Sequence, residues 1–172
     1  SLYYFDWEDT LLTFTDQNIP SINRSYIDNA GAAHSQGIEA TADIQILDYL
    51  TLNIGADINE AELDEAVGTS PAGTRLPNAP EWSWSAMLDY GIPLDSGREF
   101  NLTLNYSAMG AQDSSLGVEN TDGQVVSAFV FPRRQTTDFS AHFRGENDRW
   151  KASLFITNLT GEDTETAYFN IL

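Results

Sequence analysis

Leu50-Thr51-Leu52-Asn53-Ile54-Gly55-Ala56-Asp57-Ile58-Asn59 decides the fold. Leu50, Leu52, Ile54, Ala56 and Ile58 fall on one side of an extended chain, and Thr51, Asn53, Gly55, Asp57 and Asn59 on the other. Successive side chains of a strand point to opposite sides, so strict alternation marks a strand with one apolar and one polar face. No competing helical period runs through the segment.

Six further stretches repeat the pattern. Tyr3, Phe5 and Trp7 alternate with Tyr4, Asp6 and Glu8; Ile38, Ala40, Ala42, Ile44 and Ile46 with Glu39, Thr41, Asp43 and Gln45. Trp82, Trp84, Ala86, Leu88 and Tyr90 alternate with Ser83, Ser85, Met87 and Asp89; Phe100, Leu102, Leu104 and Tyr106 with Asn101, Thr103, Asn105 and Ser107. Thr137, Phe139, Ala141 and Phe143 alternate with Asp138, Ser140, His142 and Arg144; Trp150, Ala152, Leu154 and Ile156 with Lys151, Ser153, Phe155 and Thr157. The chain reads as all-β, an antiparallel up-and-down meander of about seven strands.

Two kinds of connection take turns along it. Leu47–Tyr49, Ile92–Arg98 and Gly145–Asp148 are short, whereas Asp16–Ser25, Glu60–Pro80, Asp113–Pro132 and the chain from Asn158 onward are long and polar. A meander sends alternate connections to opposite ends. Short turns at one end and long loops at the other are the pattern of a transmembrane β-barrel. Tyr90, Phe100, Phe143 and Trp150 fall where strands meet short turns, as an aromatic girdle at a membrane interface would. No apolar run approaches the ~20 residues of a membrane helix, but barrel strands give a far weaker hydropathy signal.

Composition narrows the function. Eight Lys and Arg stand against 26 Asp and Glu, a net charge of −18, so nucleic acid is an improbable partner. The acid is scattered and aromatics reach 12%, unlike a disordered acidic tail. There is no cysteine, hence no disulfide, thiolate metal site or cysteine nucleophile.

A catalytic reading fares badly. His142 shares a face with Asp138 and Ser140, but residues two apart in one strand stand side by side, while triad partners must converge on one atom. Glu8 and Asp9 point to opposite faces and form no glycosidase pair. Asp57 to Glu65 is rich in carboxylates for Ca²⁺ but lacks EF-hand spacing, and a solvated acidic loop is the simpler reading. The triplets at Asn23, Asn101, Asn105 and Asn158 match a glycosylation pattern by chance. The chain is expected to be no enzyme and to need no cofactor.

Four stretches, in order, resemble the C-terminal strands of TonB-dependent receptors. They are Leu2–Phe14 with Phe5-Asp6-Trp7-Glu8-Asp9, and Asn29-Ala30-Gly31-Ala32-Ala33-His34-Ser35-Gln36-Gly37-Ile38-Glu39. Ala61-Glu62-Leu63 follows, with Gly73-Thr74-Arg75-Leu76-Pro77-Asn78-Ala79-Pro80-Glu81-Trp82, and then Asn158-Leu159-Thr160-Gly161-Glu162. His34 departs from the family, which more often has a basic or small polar residue there. Physical roles for the motif residues follow without the family. Gly31 and Gly37 suit a bulge or close backbone approach. Pro77 and Pro80 end a loop and hold off ladder pairing, and Asn158 folds its amide onto the backbone to start a turn.

The resemblance implies a partial transmembrane β-barrel in the bacterial outer membrane. Residues 1–172 are then expected to be the C-terminal part of a receptor barrel, with the plug, earlier strands and final strand outside them. A 22-stranded barrel needs roughly three times as many strands. The implied function is active uptake of a scarce ligand such as a ferric siderophore, cobalamin or an oligosaccharide. The implied partners are outer-membrane lipid, the ligand or metal chelate, and the TonB complex acting through the N-terminal part. Glu60, Glu62, Asp64, Glu65, Arg133 and Arg134 are the loop residues expected near a ligand. Two rival readings fit the same residues. One is a secreted β-sandwich binding carbohydrate on Trp82 and Trp84, whose apolar face a second sheet would cover. The other is a plug-less porin-type barrel.

Overall fold

The computed structural model describes residues 1–16, 24–29, 31–120, 122–127, 129–146 and 149–163. Within them the strands are β1 (Leu2–Trp7), β2 (Leu11–Asp16), β3 (Arg24–Asn29), β4 (Ala33–Leu47), β5 (Leu50–Leu63), β6 (Trp82–Leu94), β7 (Arg98–Met109), β8 (Gln112–Asp113), β9 (Val118–Glu119), β10 (Val125–Val126), β11 (Val130–Phe131), β12 (Arg134–Arg144) and β13 (Lys151–Ile156). The main sheet has seven strands in the order β1-β4-β5-β6-β7-β12-β13, every neighbouring pair antiparallel. These are the seven alternating stretches of the sequence, in chain order.

The long connections are more structured than polar composition implied. They carry three separate two-stranded ladders, β2 with β3, β8 with β11, and β9 with β10. The first predicted strand, Leu2–Phe14, is broken after Trp7, where Asp9 takes a left-handed φ of 58° before β2 begins. β4 starts at Ala33 rather than Ile38, and β5 runs on to Leu63, so Glu60 and Glu62 are strand residues and not loop residues. Ala30 and 17–23 lie outside the described residues.

Register aligns the apolar rows across the sheet. Ile44, Leu52, Leu88, Leu104, Phe139 and Ile156 lie along one cross-strand row, and Leu50, Tyr90, Leu102, Ala141 and Leu154 along the next. A one-residue slip anywhere would carry a whole strand's apolar side chains to the polar face, which is what pins the pairing.

The apolar face is nonetheless the open one. Ile54, Ala56 and Ile58 are exposed while Gly55, Asp57 and Asn59 between them are half-buried. Ile38, Ile44, Ile58, Leu104 and Leu154 all stay exposed, Ile58 at 64%. No second sheet covers them among the described residues. This overturns the sandwich reading, whose apolar face must be the covered one.

The dimensions fit a bilayer. Trp82, Trp84, Ala86, Leu88, Tyr90 and Ile92 line one face of β6. Ten steps of ~3.3 Å at a 45° tilt give a height of about 23 Å, close to the ~25 Å apolar band of a membrane barrel. The short turns are also staggered. Gly91 donates to Tyr49 O (2.9 Å) beside the Asp48–Tyr49 turn, yet β6 continues to Leu94 before its own turn. Tilted barrel strands require such an offset.

Candidate functional site

The polar face is a wall of cross-strand hydrogen bonds. Asn101 Nδ2 and Thr103 Oγ1 donate to the two carboxylate oxygens of Asp89 (3.0 and 2.9 Å). Ser107 and Thr136 hydroxyls meet at 2.8 Å, and His142 Nδ1 lies 2.9 Å from Ser153 Oγ. Glu99 pairs with Arg144 near the short-turn end. These partners sit on facing strands, so each bond ties two strands together while leaving further acceptor oxygens for whatever occupies the interior. His142 packs edge-on against Phe155 (5.1 Å), and Asp138 Oδ1 accepts from Asn158 N (2.8 Å). His142, Asp138 and Ser140 therefore form no triad.

β1 reverses the face expected of it. Its pairs Leu2 with Ile38, Tyr4 with Gln36 and Asp6 with His34 put Leu2, Tyr4 and Asp6 on the apolar side of the sheet. Tyr3, Phe5 and Trp7 share the polar side with Gly37, Ser35 and Ala33. Tyr3 Oη donates towards Asp57 Oδ1 and Asn59 Oδ1, both at 3.1 Å. The physical reason is the small-residue run. A Cβ on Gly37 would lie 2.4 Å from Tyr3 Oη and 2.2 Å from Ile58 O. Glycine, serine and alanine in alternate positions leave room for three rings, whose centroids step by 5.6 and 6.1 Å. The close approach anticipated at Gly37 is therefore real, and it is to an aromatic side chain as well as backbone.

The rim at the long-loop end has its own small core. Leu63 and Ala33 are fully buried, with Val67, Leu76 and Leu116 packed on them. Since Ala33 and Leu63 point to the polar side, the two long connections that supply these three residues fold over that side at the mouth. Backbone bonds lock them together: Glu119 N to Thr69 O (3.0 Å) and Asn78 N to Asp113 O (2.9 Å).

The residues expected near a ligand are divided by this geometry. His34 Nδ1 meets Asp64 Oδ1 at 2.6 Å. Glu65 Oε1 accepts from Ala32 N (3.1 Å) beside Gly31, whose φ is +69°. Asn29 Oδ1 caps Gly31 N (2.6 Å) and its amide donates to Asp9 (2.5 Å), so the Asn29-to-Gly37 motif is a turn followed by an aromatic seat. Glu60 and Glu62 extend the apolar row of β5 and so face away from the polar side. Arg134 lies against Met109 on the polar side, while Arg133 is exposed before β12 begins. Ile38 and Glu39 fall on opposite faces of β4, Ile38 towards the apolar side. Among the described residues no three His, Asp or Glu side chains gather as a metal site.

The remaining motif positions are turns. Asn158 takes φ 52°, its Nδ2 donates to Glu162 O (2.9 Å), and its Oδ1 accepts from Glu162 N (3.0 Å). Leu159 N reaches Thr137 O (2.7 Å) and closes that turn against β12. Pro77 and Pro80 bracket an excursion before β6. At the other end Phe143 and Trp150 stack at 5.1 Å, and Gly145 leaves space for the indole. Trp84 packs on Tyr106 (4.7 Å), so both ends of the apolar band carry aromatic pairs.

No curated protein and no solved structure shows significant similarity to the chain. A family model described as "TonB dependent receptor-like, beta-barrel" matches residues 1–159. An uncovered apolar band about one bilayer high, a hydrogen-bonded polar face and this match agree, and the chain belongs to the TonB-dependent receptor family as part of its outer-membrane β-barrel.

Proposed function

We propose that this segment is wall and rim of a receptor that takes up a scarce ligand, such as a ferric siderophore, cobalamin or an oligosaccharide. Receptors of this family act in outer-membrane transport, with TonB and a ligand as partners. One observation supports this role most directly: the apolar band is open on one side and a polar wall of cross-strand hydrogen bonds lies on the other. Such a wall faces water or a plug, changes no covalent bond and needs no catalytic group. Residues 1–172 are read as the C-terminal part of the barrel, with a plug and earlier strands supplied elsewhere in the gene. Asp64, Glu65, Arg133 and Arg134 at the rim are the contacts proposed for ligand capture, with Glu60 and Glu62 on its outer side.

The test uses the full-length gene. Cells carrying it should take up a labelled ferric siderophore, cobalamin or oligosaccharide only while TonB is intact. Uptake that persists without TonB would instead favour the plug-less porin. Replacing Arg133 and Arg134 together by Gln should weaken ligand binding with the receptor still in the outer-membrane fraction.

A further inference from the structure

Arg134 differs from the arginines around it in having no acidic partner. Arg75 pairs with Glu81 and Arg144 with Glu99, whereas Arg134 forms no ion pair among the described residues. It begins β12 at the long-loop end, and register sets it beside Met109 on the polar face. Its Nε donates to Met109 Sδ at 2.9 Å. A thioether is a weak acceptor, so it seats the guanidinium without neutralising it. The donors on the two terminal nitrogens are left for another partner.

Hydroxyls stand next to it. Ser107 and Thr136 form the next row into the barrel on the same face, and their oxygens meet at 2.8 Å. One donates to the other, so one hydroxyl hydrogen is left over. With Met109 and Arg134 these two line a crevice of about 280 Å³, which Ala108 and Gln135 complete. That is small for a ligand pocket, with room for one substituent and not for a whole chelate.

The acidic wall does not cancel this cation. Asp138 lies four residues along β12, and Asp57 lies three strands away in the row Asp57, Ser83, Met109, Arg134. Strand rise and strand spacing put them at roughly 13 and 14 Å. Both lie beyond the ~8 Å screening length of physiological salt. Glu162 accepts from Gln135 Nε2 (2.6 Å), a residue of the opposite face.

We propose that Arg134, with the Ser107 and Thr136 hydroxyls, holds an anionic oxygen group of the transported ligand: a carboxylate, phosphate or catecholate. The guanidinium fork matches two oxygens side by side, and the spare hydroxyl hydrogen supplies a further bond. The crevice belongs to the face turned away from lipid, so its occupant is a ligand in the interior and not a lipid headgroup. The site rests on the uptake reading and deepens it, selecting an anionic ferric chelate over a neutral oligosaccharide.

The experiment measures equilibrium binding to the purified full-length receptor. Two probes are anionic, a ferric tris-catecholate and ferric citrate; two are neutral, a ferric tris-hydroxamate and a maltooligosaccharide. At least one anionic probe should bind more tightly than both neutral ones. Arg134→Gln should weaken that probe about tenfold, the scale of one charge-assisted hydrogen bond, and so close the gap. Arg134→Lys, which keeps the charge and loses the fork, should fall between. Unchanged migration on unboiled gels checks that each variant is folded. No binding of either anionic probe, tighter binding of a neutral one, or a gap that survives Arg134→Gln would each overturn the proposal. TonB-dependent uptake of a neutral probe would then show that the uptake reading stands without it.

Discussion

Leu88 and Asp89 are neighbours in β6 and meet different surroundings. Leu88 sits in a row with Leu52 and Leu104 on the face that touches lipid, while Asp89 accepts from Asn101 and Thr103 on the face that does not. Within one strand, then, the lipid face is held by an absence of polarity and the inner face by mutual hydrogen bonding. Lipid cannot solvate a charge, whereas the inner wall can pass a lost bond to water. The two faces should therefore answer differently to the same chemical insult.

The largest expected effect comes from denying the apolar face its lipid. Residues 1–172 made alone should pellet without detergent, since among the described residues the band is uncovered and β1 and β13 are the edges of the main sheet. A cooperatively folded, detergent-free monomer on sedimentation would break the assignment of faces. Next, Leu88→Arg in the full-length receptor should cost ~2–4 kcal/mol in urea unfolding from vesicles, as charge at mid-bilayer does. Met87→Arg, one residue away on the inner face, should cost less than about 1 kcal/mol. Equal losses would erase the distinction.

Gly37→Ala tests how tightly the inner face is fitted around the aromatic row. The added methyl meets both Tyr3 and the carbonyl of Ile58, so a loss of ~1–3 kcal/mol is expected by thermal melting. Adding Tyr3→Ala should recover only part of it, because the backbone contact remains. The smallest effect belongs to Asp89→Ala. It strands two donors on a wet wall and should cost about 1 kcal/mol, with uptake retained.

Much of the fold was legible in the sequence. Leu50 to Asn59 has no other sensible reading, and the alternation of Asp48–Tyr49-type turns with long loops sets the two ends. Leu2-Tyr3-Tyr4-Phe5-Asp6-Trp7 was less informative because both of its faces are aromatic or apolar in part, so period two named no side. The acidic run from Asp57 read as a loop, since polar composition does not show that Leu63 N finds Thr74 O and carries the strand to the rim. The excursion at Pro77–Pro80 left only a faint signal, two prolines three residues apart before a strand.

By itself the sequence determined that the chain is an antiparallel meander with one apolar face, because alternation at period two is a local property of each strand. Which neighbour each strand meets, and at which residue, is not local. Long-range pairing alone put Tyr3 over Gly37, turned the β1 aromatics inward, left Ile58 open to lipid, and brought Arg75 back to Glu62 across the proline excursion.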